Sequence, residues 1–287
     1  MDELAVAMKA RSFIAKVGPL PLPISVDAYA QQIGGIVKVE ALGEHEDAWS
    51  VRLPNGQYRI CVNCTHNNAR QRFSVCHEVA HVVLEIPAEH SAPSWSYGQR
   101  SEGEVACDVF AAELLLPYKL FKPRVDASDM TLTAIGQLAD EFEASLVATG
   151  SRFATFSREL CAFIVSEGGK VRYRTRSAPM REAKGWISVG LALPRDSLSA
   201  RVREGSAQSG RAEEADPDQW FEDWQGGGYF YEDVRHLDQW DQTLTLLWCE
   251  DREDPLPPQE RKVWEEKSYG LRELDGNLPW PGRRKRK

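Results

Sequence analysis

The five residues His77-Glu78-Val79-Ala80-His81 have the types and spacing for metal chemistry. On a helix, residues four apart stack on one face, so His77 and His81 can aim two imidazole nitrogens at one divalent ion. Glu78 is turned aside but stays close to a water at that ion, where a general base is needed. Phe73, Val75, Val79, Ala80, Val82, Val83 and Leu84 make the stretch apolar enough to be buried, which disfavours two unrelated surface histidines. Zinc needs a third protein ligand if one position is to stay open. The stretch from Glu104 to Leu116 offers one, since its charged positions are Glu104, Asp108 and Glu113. A carboxylate in so apolar a helix must be paired or coordinated. Glu104 and Asp108 share a face, so Glu104 can reach the metal while Asp108 accepts the free N–H of a ligating histidine. Glu102 is the rival ligand, without such a partner four residues on. Glu113 lies on another face, solvated or in an ion pair.

The cysteines compete weakly. Cys76 projects about 100° around the helix from His77 and reads as a small buried residue, whereas Cys107 stays open as a neighbour of the Glu104 face. Cys61 and Cys64 form a lone CxxC; strand alternation places them on opposite faces, and no second pair completes a structural zinc site. His66 and His90 read as loop histidines. Tyr97, Tyr118 and His236 are candidate donors to a developing oxyanion.

The elements that must position these groups follow from periodicity and breakers. Residues 3–16 read as an amphipathic helix with Leu4, Met8, Phe13 and Ile14 its main apolar positions. Ser25 can cap a helix through Ala30 that Gly34-Gly35 stops. Strands follow at 36–39, 48–53 and 58–62, the last two joined by Pro54-Asn55-Gly56-Gln57, which suggests a type I′ hairpin. The metal-motif helix spans 69–84 and the second helix about 101–116, ending before Pro117. A helical pair at 131–142 and 145–156 has helix-turn-helix spacing. Hairpin strands at 162–166 and 171–174 flank Gly168-Gly169, and 186–193 and 243–249 are further strand candidates.

The runs Arg72-Phe73-Ser74-Val75-Cys76-His77-Glu78-Val79-Ala80-His81 and Glu104-Val105-Ala106-Cys107-Asp108-Val109-Phe110-Ala111-Ala112-Glu113-Leu114-Leu115-Leu116-Pro117 resemble the ImmA/IrrE family of metallopeptidases. Those proteins show RFTLAHELGH and then ExxANxFAAxLLMP. The resemblance is specific over about residues 25–160. It implies an α+β fold: a zincin-like metallopeptidase domain at 1–125, a helix-turn-helix-like segment at 126–159, and an α/β GAF-like sensor or docking domain at 160–255. A Pro-rich charged tail with a basic end follows at 256–287. It also implies His77, His81 and Glu104 as metal ligands and Glu78 as the catalytic glutamate. The expected ion is Zn2+, with Mn2+ the alternative. The implied substrate is a helix-turn-helix repressor whose removal switches on stress, DNA-damage or mobile-element genes. Ala80 stands where the family has Gly, and Cys107-Asp108 where it has Ala-Asn; Asp108 keeps the expected acceptor.

Composition bounds the rest. With 42% hydrophobic and 27% charged residues among 287, the chain is too apolar for disorder. No run of about 18 apolar residues suggests a membrane span. The charged start lacks the apolar core of a secretory signal, and six scattered cysteines suit a reducing cytoplasm. The net charge is −8, but the last five residues are all basic and residues 212–254 carry −12. That acidic segment, with Trp220, Trp224, Trp240 and Trp248, reads as a solvated face over an aromatic core. The sharper reading is a docking surface for a basic partner. A GAF-like domain can also house a small ligand, which no residue pattern identifies. The second helix of the pair offers only Arg152 to phosphates, so direct DNA binding is not expected. Two other classes remain: a non-catalytic regulator keeping the zincin fold, and a DNA-binding transcription factor.

Overall fold

Short polar residues set where the helices begin. The side chains of Asp2, Asn67, Ser101, Thr131, Ser145, Ser177 and Ser197 each accept a backbone N–H two or three residues on, a cap worth about 1 kcal/mol. The computed structural model describes residues 2–19, 21–43, 46–87 and 101–250. Tyr97, His90 and the tail from 256 lie outside the described residues.

The first half runs α1 (Glu3–Val17), α2 (Val26–Gln32), β1 (Gly35–Glu40), β2 (Ala48–Arg52), β3 (Tyr58–Asn63), α3 (Asn68–Leu84) and α4 (Glu102–Leu115). Then come α5 (Tyr118–Asp126), α6 (Leu132–Phe142) and α7 (Leu146–Phe156). The rest is β4 (Leu160–Glu167), β5 (Lys170–Arg176), α8 (Ala178–Glu182), α9 (Leu198–Arg203), β6 (Glu213–Glu214), β7 (Tyr229–Leu237) and β8 (Gln242–Glu250). The fold is mixed α+β, as expected. Three strands form a sheet in the order β1-β3-β2, with β1 parallel and β2 antiparallel to β3. Five antiparallel strands form the second, in the order β5-β4-β8-β7-β6.

One hydrophobic cluster extends from Val6 on α1 through Val79 on α3 and Phe110 on α4 to Phe163 on β4 and Trp248 on β8. The helical pair packs on the second sheet: Gly150 lies so close to the Phe163 ring that a Cβ there would overlap it. Arg72, one turn ahead of the metal motif, donates to the carbonyls of Ile24 (2.7 Å), Glu143 (3.1 Å) and Phe142 (3.4 Å). It thereby ties α3 to the C-terminus of α6, where a cation satisfies unpaired carbonyls.

Several local expectations are corrected. In α1 the buried positions are Val6, Ala10 and Phe13, while Leu4 and Met8 are exposed; small Ala10 faces the core, so ranking by side-chain size misplaced the stripe. Ser25 sits at the N-cap of α2 but makes no side-chain cap bond. The β2–β3 loop is not type I′: Gly56 alone of the Asn-Gly pair has positive φ, at 85°. Gly56 N–H bonds to Leu53 at 2.9 Å, and Leu53 N–H to Gln57 at 2.7 Å, making a three-residue loop. Residues 186–193 are not a strand; their ladder is a single bridge from Ala192 to Lys170. Helix α5 and strand β7 were unforeseen. Asp218 and Glu222 belong to a solvated face, but Glu232 and Asp233 on β7 are buried. Glu232 accepts from the backbone of Leu198 and Ser199 at the start of α9, and Asp233 from Leu132 at the start of α6. Trp240 is exposed and no part of the aromatic core.

Candidate metal centre

The centre lies between α3 and α4. Asn67 caps α3 and fixes its start, and β2, β3, α2 and α4 pack around it. His77 and His81 therefore stand one turn apart on a largely buried helix. Ser101 caps α4, and Gly103 lies against Ile86, just past the end of α3. The two helices run antiparallel, which brings Glu104 at the start of α4 to both histidines.

Three donor groups converge. His77 Nε2 lies 3.0 Å from His81 Nε2 and 3.1 Å from Glu104 Oε2, and His81 Nε2 lies 3.5 Å from Glu104 Oε1. Tetrahedral zinc with bonds of 2.0–2.1 Å sets neighbouring donors about 3.3 Å apart, so the spacing suits one small divalent ion. The outer ring nitrogens explain how the donors are aimed. His81 Nδ1 lies 3.0 Å from the Ile86 carbonyl and His77 Nδ1 lies 3.0 Å from Asp108 Oδ1. Both partners accept, so in the neutral rings each Nδ1 carries the hydrogen and each Nε2 presents a lone pair. Two lone pairs facing one another at 3.0 Å repel, and a cation between them removes the conflict. Among the described residues, His77, His81 and Glu104 are the group of ligand types within metal-holding reach of one another.

Glu78 is 5% exposed. Ser50 Oγ donates to its Oε2 at 2.6 Å, a charge-assisted bond that fixes one oxygen and leaves the other unclaimed by it. Ser50 comes from β2, the edge strand beside α3, and sequence reasoning missed it. A lone serine in an alternating strand carries no motif, and only the packing of β2 on α3 reveals its role.

The rivals separate cleanly. Glu102 is exposed and outside the cluster. Cys76 is fully buried. Cys107 is buried as well, and burial, followed by the charges of Glu104 and Glu78, pushes its thiol up to about 12; it packs as a neutral thiol. Cys61 is buried and Cys64 exposed, and His66 bonds to Asp47 at 2.8 Å. Tyr118 starts α5 beyond the far end of α4, with Arg11 over its ring at 4.5 Å. Glu104 and Leu115 are about 16 Å apart along the helix axis, so Tyr118 is no part of this centre. His236 is engaged with Thr243 at 3.0 Å on the second sheet.

Glu113, expected to be solvated or ion-paired, is 1% exposed and paired twice, to Arg11 at 3.0 Å and to Arg152. It also accepts the Tyr118 N–H at 2.9 Å. This buried triad joins α1, α4 and α7. Arg152, the one basic residue of α7, is thus spent inside the fold.

Residues 34–154 match the Peptidase_M78 family, described as the IrrE N-terminal-like domain. This part of the chain belongs to that family. The IrrE N-terminal-like domain so defined runs from β1 nearly to the end of α7 and contains the whole centre. Ala80, standing where the resemblance places Gly, is fully buried in its core. No curated protein matches the chain. Among solved structures, one described as a Mycobacterium tuberculosis transcriptional regulator is similar, with a TM-score of 0.54 at 14% identity. The match covers 86% of this chain and 76% of that one, a likeness of fold.

Proposed function

We propose that the protein is a metal-dependent regulatory endopeptidase that hydrolyses a peptide bond in a helix-turn-helix transcriptional repressor and so de-represses stress, DNA-damage or mobile-element genes. The observation that carries this reading is the convergence of His77, His81 and Glu104 at tetrahedral spacing, with Glu78 held beside them. Zn2+ suits two imidazoles and a carboxylate, and Mn2+ is the alternative. A divalent ion held there supplies Lewis acidity that activates water and polarises a carbonyl. Asp108 and the Ile86 carbonyl hold the two imidazoles in the ligating tautomer. Glu78 takes the proton from the attacking water and delivers it to the leaving amine.

The repressor as substrate rests on the family and on a structural neighbour described as a transcriptional regulator. Its DNA-reading helix is basic, and the exposed acids of 213–223 would steer it. The C-terminal part, about 160–255, serves in this reading as a GAF-like sensor or docking domain. Against a DNA reader stands the burial of Arg152 in its pair with Glu113. Among the described residues no helix is long and apolar enough to cross a membrane.

The test is incubation of the metal-loaded protein with helix-turn-helix repressors encoded beside its gene, followed by intact-mass spectrometry. A repressor cut into two fragments, and left whole when a chelator is present, is the expected result. Intact repressors under metal-loaded conditions would overturn the choice of substrate.

A further inference from the structure

The five-stranded sheet carries opposite charge at its two edges. Strand β5 forms one edge, and residues 170–186 hold six Lys and Arg against one Glu, a net of +5 in a chain of −8. Strand β6 forms the other, and residues 213–223 hold six Asp and Glu with no Lys or Arg, a net of −6.

Neither edge is neutralised where it stands. Arg172 pairs with Glu167 at 3.7 Å, but among the described residues no ion pair reaches Arg174, Arg176 or Arg181. Arg174 and Arg176 donate instead to the carbonyls of Ile187 and Gly185, and Arg181 to that of Arg176. Burial, and then the charges of Arg174 and Arg181, push the Arg176 guanidinium below its ordinary value. Across the sheet, Glu213 pairs with Arg201. Glu214, Asp216, Asp218, Glu222 and Asp223 are exposed and have no ion pair among the described residues.

The two edges cannot serve one another within a molecule. Four strand spacings of about 4.8 Å put them about 19 Å apart, more than twice the screening length of about 8 Å at physiological salt. The basic edge also carries apolar surface. Trp186 is 59% exposed, with Arg174 and Arg176 over its ring at 4.9 and 4.6 Å, and Val189 and Leu191 are exposed beside it. Covering that surface gains hydrophobic energy that a purely ionic contact lacks.

We infer that the basic β5 edge of one copy docks on the acidic β6 edge of another. The complement is of opposite sign and nearly equal charge, and every copy of the chain carries it. The contact is head-to-tail, so each pair leaves one edge of each sign open, and association continues into short chains unless a ring closes. A basic protein bound at the β6 edge competes with this contact.

Sedimentation velocity on the whole protein tests the inference. At low salt the average mass is expected to rise above the 32.3 kDa of one chain as concentration increases. It should fall back near 1 M salt, where the screening length is about 3 Å. Two exposed pairs are then reversed in separate proteins: Arg181→Glu with Lys184→Glu, and Glu214→Lys with Asp218→Lys. Each variant alone should stay at the mass of one chain, and an equal mixture should associate again. A wild-type protein that stays single at low salt overturns the inference. So does a variant that still associates alone, or a mixture that does not.

Discussion

Glu78→Gln is expected to lower cleavage by about 10²–10⁴-fold, the range for loss of a general base, while metal content stays at the wild-type level. The amide is nearly the same size and still accepts from Ser50, whose hydroxyl holds the carboxylate at 2.6 Å. It has no basicity, so the proton of the attacking water has nowhere to go. His77, His81 and Glu104 are untouched by the change, so binding and chemistry separate in one variant. Cleavage by Glu78→Gln at the wild-type rate would remove Glu78 from the mechanism. Loss of the metal together with activity would instead make it a structural support of the centre.

The second large effect concerns stability. Glu113→Ala is expected to destabilise the fold by about 3–5 kcal/mol, the cost of breaking a buried ion pair from one side. Glu113 is 1% exposed and Arg152 is buried with it, so the change strands a guanidinium in the interior. Burial already pushes Arg152 below its ordinary value, with Glu113 acting against that push. Arg11 is the more exposed partner and contributes less, because solvent screens it. Urea denaturation measures the difference directly. A midpoint shift equivalent to less than about 1 kcal/mol would mean that the triad relaxes into water and holds little together.

What was legible in the sequence was whatever lay within one helix. His77, Glu78 and His81 declare a centre because four-residue spacing has one meaning on a helix, and Glu104 with Asp108 could be paired by the same arithmetic. The helical pair at 132–156 was visible through its caps, Thr131 and Ser145, both of which accept the bond expected of them. Contacts between distant segments were not legible. Ser50 reaches Glu78 across 28 positions, and Glu113 meets Arg11 across 102. Trp186–Leu193 read as a strand because it is apolar, yet Trp186 is exposed over two arginines and makes no ladder. Charge misled for a related reason. Averaging residues outside 212–254 to near neutrality concealed Lys170, Arg172, Arg174, Arg176, Arg181 and Lys184, which fall at one sheet edge.

The central claim is that three side chains from two helices hold one divalent ion. Metal analysis by plasma mass spectrometry, after equilibration with Zn2+ and gel filtration, tests it most directly in the wild type and in His77→Ala, His81→Ala and Glu104→Ala. The account predicts close to one ion per wild-type chain, and a loss of most of it in each variant, with folding verified by circular dichroism. A wild-type protein that retains no metal, or variants that retain it in full, would contradict the account.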